Sequence, residues 1–175
     1  MALLFLATAA AGAGAQEGDE ARRAYFGAVA DFFQVPTSEV SILGDWRLPS
    51  DEIPVVLFIA RRAGVSAEAL AALRRSGSSW QELAGRYRVH PGDFHAPLPD
   101  DAPAGRLEAA YARFREIPAA RWSEIQLSDA DIVALVNARL LSGTLQLSVE
   151  EILRRAGSTG SFADLYAQLI RIDQS

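Results

Sequence analysis

The chain has 175 residues, half of them hydrophobic, and a formal charge of −5 from 17 basic and 22 acidic residues. That length fits one domain or two small ones, with apolar content enough for a core. It has no cysteine and no lysine, which excludes disulfides, thiol nucleophiles, thiolate metal sites, a Walker-type phosphate loop and Schiff-base catalysis.

Residues 1–15 read as a signal peptide. Ala2 to Ala15 is an apolar stretch that ends in Ala13-Gly14-Ala15, an A-x-A cleavage pattern, and polar Gln16-Glu17-Gly18-Asp19-Glu20 follows. The stretch is too short for a comfortable membrane span. The chain is therefore expected in the periplasm or the medium, cleaved near Ala15.

The rest divides into a helical repeat region over 16–89, a Pro-rich linker or loop over 90–103, and a second helical region over 104–175. Glu17 to Phe33 is predicted helical, with Tyr25, Phe26, Val29, Phe32 and Phe33 on one face. Val35-Pro36 ends it, because proline disfavours helix in the residue before it. A short helix follows over about Thr37 to Leu43, then a turn through Trp46 to Pro49. Ser50 reads as the N-cap of the next helix, with Asp51 and Glu52 in its first turn, and Gly64 as its stop. Pro54 can displace that start by a residue or two. Ser66 and Ser79 begin two more helices, the second with a full S-x-x-E capping box. His90 to Pro103 holds four prolines and reads as irregular. Gly105 to Ile117 is helical again, and Ser128, Ser148 and Ser161 each stand three residues before an acid, as capping residues do. No stretch alternates as a strand would, so the fold class is all-α: stacked short helices in helix–turn–helix-like repeats.

The repeat is written in the sequence. Ser50 to Arg61 and Ser128 to Arg139 agree at six of twelve positions. Past the turn, Val65-Ser66 matches Leu147-Ser148, and Ser79-Trp80-Gln81 matches Ser161-Phe162-Ala163. The second copy carries four extra residues, expected in a loop from Ser142 to Gln146. A fainter unit aligns Val35, Val40 and Leu43 with Val65, Leu70 and Leu73. Such a chain buries each helix pair against its neighbour.

Ile59 to Leu73 resembles the helix–turn–helix of DNA-binding regulators, with Ala60, Gly64, Val65, Leu70 and Leu73 where that motif needs them. Leu83 to Val89 is a weaker match, with Arg88 in the place of glycine. The chemistry opposes DNA reading. A recognition helix from Ser66 would present Ala67, Glu68, Ala71 and Ala72, whereas bases are read mostly by Arg, Lys, Asn and Gln. An acidic chain also lacks a phosphate-binding face. Nucleic acid is therefore not the expected partner, and a cytoplasmic helix–turn–helix regulator stands as the alternative.

His90-Pro91-Gly92-Asp93-Phe94-His95 is the single plausible ligand cluster, with Asp100 and Asp101 nearby. It would suit a hydrolytic metal, but two loop histidines without helical spacing are more simply solvated. The acid pairs Asp51/Glu52, Asp129/Asp131 and Glu150/Glu151 fall in first turns, where helix dipoles explain them. Gly157 to Ser161 lacks the strand–turn–helix setting of a nucleophile elbow. Trp80 and Trp122 read as core anchors; Trp46, in a turn, is the tryptophan expected to be exposed. No catalytic, cofactor-binding or metal residue is assigned, and no cofactor.

Asp51 to Arg61, then Gly64-Val65-Ser66 and Ser79-Trp80, together with Leu127 to Asn137, resemble a group of uncharacterised exported bacterial all-helical proteins with helix–turn–helix-like repeats. The resemblance implies an exported helical protein and assigns no activity and no functional residue. The expected function is that of an exported non-enzymatic helical module, binding a protein or cell-envelope partner.

Overall fold

A computed structural model describes residues 9–173, with side chains from 18 to 171. Residues 1–8 lie outside the description, as do the side chains around Ala15 where cleavage is expected. The described chain is all-α, with no strand. The first helix, α1 (Ala9–Phe33), starts before the predicted Glu17, since the Ala-rich stretch ahead of it has high helix propensity. It is followed by α2 (Thr37–Asp45).

Ser50–Glu52 forms a 3-10 turn, and α3 (Ile53–Ala63) begins only after it. Pro54 lies in the first turn of α3, where its missing N–H costs nothing. Then come α4 (Ala67–Arg75), α5 (Trp80–Arg86) and α6 (Pro91–Phe94). A 3-10 turn at Gly105–Leu107 leads into α7 (Glu108–Glu116), and another covers Ala119–Glu124. The chain ends with α8 (Asp129–Leu145), α9 (Val149–Ala156) and α10 (Phe162–Asp173).

The two helices that share the sequence pattern, α3 and α8, pack against each other at the centre. Ile53 to Ala60 are all buried, and α8 buries Ile132, Ala134 to Ala138, Leu140 and Leu141. A helix apolar on every side belongs inside a protein. Around this pair, α1 lies on α10, α2 and α8, α4 lies on α3, and α5 and α9 lie on α8. One core joins the segments before and after the Pro-rich stretch. That stretch contains α6, and its Phe94, Ala96 and Ala102 are buried.

Three helix corners share one design. Gln34, Gly64 and Arg88 adopt left-handed φ of 54°, 67° and 56°. The next residue in each case donates its N–H to a carbonyl five positions back: Val35 to Ala30 at 3.0 Å, Val65 to Ala60 at 3.1 Å, Val89 to Ala84 at 2.9 Å. This is the Schellman closure, which satisfies a carbonyl the helix end would leave orphaned. Gln146 at the end of α8 is also left-handed, φ 55°. Ser142 to Leu145 do not form the expected loop. They are the last turn of α8, because Gly143 lets the helix pass close to Phe32, whose ring would sit 2.9 Å from a Cβ there.

Ser50 does not cap α3 as expected, because it lies in the 3-10 turn and no side chain caps the start of α3; the other predicted serine caps form. Ser66, Ser79, Ser128 and Ser148 accept the N–H of Ala69, Glu82, Asp131 and Glu151 at 3.0–3.2 Å. Glu82 and Asp131 return the contact to the Ser79 and Ser128 N–H groups, at 2.8 and 2.9 Å, closing two capping boxes.

Candidate functional site

Three of the six acids that looked like partners of their own helix starts, Asp51, Glu52 and Asp129, serve other elements. Asp51 accepts the N–H groups of Phe162 and Ala163 at 2.8 and 3.0 Å, capping α10. Asp129 accepts the Gln81 N–H at 3.1 Å, capping α5. The reason for this correction is local: a 3-10 turn separates Asp51 from α3, so its carboxylate is free to reach an adjacent helix end. Burial pushes the Asp51 carboxyl up, against the pull of its two backbone donors.

Glu52 is likewise engaged elsewhere. Arg74 donates to it through Nε and Nη2, both at 2.8 Å, and reaches Asp129 at 2.7 Å. The guanidinium lies 4.9 Å above the Trp80 ring. Arg106 takes the corresponding place over Phe162, at 5.5 Å, and donates to the Ala156 carbonyl at 2.8 Å. Glu151 is paired with Arg154 and Arg155. None of these carboxylate pairs stands as an acid and base facing each other across a cleft, as glycoside hydrolysis needs.

In the segment from His90 to His95, Asp93 and His95 are engaged in the fold, whereas the His90 side chain is exposed. Asp93 accepts the His90 N–H at 2.8 Å and pairs with Arg62 at 2.8 Å. The His95 ring stands 4.4 Å from Trp122, 4.8 Å from Phe114 and 5.6 Å from Tyr111. Burial and the Arg139 charge hold its imidazole below the usual 6.5. Arg139 donates to the backbone carbonyls of Asp93 and His95, pinning α6 to α8. Tyr111 donates to the Ala96 carbonyl at 2.6 Å, and burial pushes its phenol up to about 12. No group of three or more histidine or acidic residues suited to a metal occurs among the described residues.

The face of α4 that a DNA reader would use is only half available. Ala67 and Ala71 are buried, contrary to the sequence expectation, because they lie on the core side with Leu70. Glu68, Ala69 and Ala72 remain outside. Of the two cations at the end of α4, Arg74 is held by Glu52 and Asp129, and Arg75 is exposed. Trp80 is fully buried; Trp46 is only half exposed, with the Arg75 guanidinium 5.6 Å over its ring.

One buried polar group was missed in the sequence. Asn137 is 0% exposed and links three elements. It accepts from the Tyr25 hydroxyl of α1 and donates to the carbonyls of Asp51 and Val133, each at 2.8 Å. Its standing as the single asparagine of the chain was the available signal. The Tyr25 hydroxyl, wholly buried, is held far above its ordinary range.

A groove of about 530 Å³ lies where the end of α1, α2, α3 and α4 meet. Its floor is Phe33, Leu57, Ala60 and Ala67, with half-buried Val35 and Val65 from two of the left-handed corners. Glu39 and Glu68, in the first turns of α2 and α4, stand on its rim. Their carboxylates have no hydrogen-bond or ion-pair partner among the described residues. The third rim charge, Arg61, donates to the Phe33 carbonyl at 3.5 Å. No single helix among the described residues is long and apolar enough to cross a membrane.

No family model, no curated protein and no solved structure matches this chain.

Proposed function

We propose that this chain is an exported, non-enzymatic helical module that binds a protein or cell-envelope partner through the groove between α1–α2 and α3–α4. The observation that carries the reading is the way polar chemistry is distributed. Most of the acids that suggested catalysis, and His95, are engaged in helix caps, ion pairs and ring packing. The groove keeps unpaired charge beside apolar floor, which suits recognition of a surface. Export rests on the signal-like start and on the resemblance to exported helical proteins.

The architecture belongs to the same proposal: two copies of one helical unit, arranged reciprocally. Asp51 of the first copy caps the second copy's α10, and Asp129 of the second caps the first copy's α5. Gln81 and Ala163, which receive these caps, are aligned positions of the repeat. The matching left-handed corners also support it. On this reading the helix–turn–helix geometry of α3 and α4 is a packing solution, since the outer face of α4 offers a carboxylate and methyl groups, with Arg75 only at its end.

Three measurements test the proposal. The amino-terminal residue and cell fraction of the native protein should be Gln16, in the periplasm or medium; full-length protein in the cytoplasm refutes export. A photo-crosslinking amino acid at position 68 should trap a partner in cells, and one at exposed position 113 should not. A gel shift on genomic fragments at low salt should show no retained DNA.

A further inference from the structure

The geometry points to the occupant of the groove: a basic peptide segment that seats an apolar side chain between Val35 and Val65, with its cations on Glu39 and Glu68. This rests on the reading that the groove is the binding face. The two carboxylates frame an apolar floor, and neither has a counterion among the described residues. Arg61 does not neutralise them, because it faces the carbonyl end of α1 at Phe33, where a cation complements the helix dipole. An acidic segment would meet two like charges there, in a chain already at −5. A basic one gains two ion pairs and steers its approach by charge. The corner geometry places the valines for it. Gln34 and Gly64 are left-handed, which turns each following valine in toward the space between the helices.

The test uses the full chain and a short labelled amphipathic peptide of leucine and lysine, with a twin carrying glutamate in place of lysine. Fluorescence anisotropy should show the lysine peptide binding, more weakly as salt rises, and the glutamate peptide not binding. The double variant E39Q/E68Q should bind the lysine peptide roughly fivefold more weakly, the loss expected for two exposed ion pairs. Its circular dichroism should be unchanged. The control D100N/D101N removes the same charge from exposed positions outside the groove and should bind as the parent does. Equal weakening in both variants means general attraction to an acidic protein and overturns the inference. Equal binding of the two peptides, or none, does the same. Peptide mapping of the partner trapped from position 68 separates the two claims. A neutral or acidic segment sinks this inference and leaves the groove as a binding face; no adduct at all sinks both.

Discussion

The carboxylate of Asp51 caps α10 by accepting the N–H of Phe162 across 111 residues of chain. Both its oxygens are used, the second by Ala163. Removing it leaves two N–H groups at the start of a packed helix without an acceptor. Asp51→Ala should therefore lower stability by about 2 kcal/mol, the upper part of the range for a lost cap. Asp129→Ala loses the Gln81 cap and one partner of Arg74, at a more exposed position, and should cost about 1 kcal/mol. Urea denaturation of both variants measures this; an Asp51 effect no larger than a surface substitution would remove the cap from the account.

A second expectation concerns the buried polar centre. Asn137→Ala strands the Tyr25 hydroxyl and the Asp51 carbonyl inside the core. It should cost about 3 kcal/mol, whereas Tyr25→Phe should cost about 1 kcal/mol because it strands one acceptor. The double variant should be less damaging than the sum of the two, since they share one hydrogen bond. Strict additivity in thermal or chemical melts would show that the bond contributes nothing.

Glycine positions make opposite forecasts. A Cβ on Gly44 would lie 2.5 Å from Cε2 and 2.9 Å from Cζ of Phe26. Gly44→Ala should destabilise by about 2 kcal/mol through overpacking. Gly85 is helical with open space around it, so Gly85→Ala should stabilise by about 0.5–1 kcal/mol. Melting temperatures moving in the same direction would contradict the packing of α1 on α2.

The His95 imidazole predicts a pH dependence. Its folded value lies below the ordinary 6.5, so the fold favours the neutral ring. The stability it contributes is present above the unfolded value and is lost as pH falls through the folded one. The gap in melting temperature between the parent and His95→Gln should thus narrow on acidification from pH 7.5 to pH 5. A gap that widens in acid would mean that the surrounding rings favour the cation instead.

Local chemistry was legible from residue types and spacing. The serine caps, the boxes at Ser79 and Ser128 and the helical class all depend on contacts within about one turn, which spacing encodes directly. The shift of the α3 start to Ile53 was legible too, since Pro54 requires a first-turn place. Two things were not legible. Ser142 to Leu145 lengthened α8, since Gly143 could pass Phe32. Ala67 and Ala71 turned inward, because an alanine carries no signal of which face it occupies.

By itself, then, the sequence determined the all-α class, most of the helices and most of their caps. Only the tertiary structure decided what the first-turn acids do. Glu52 was drawn to Arg74, Asp51 to α10 and Asp129 to α5, each through contacts between residues distant in the chain. It also decided that Val35 and Val65 share one groove with Glu39 and Glu68. The physical reason is range. Caps and periodicity are written in neighbours three or four residues apart, whereas charge partners and concave surfaces arise only when separate helices are packed side by side.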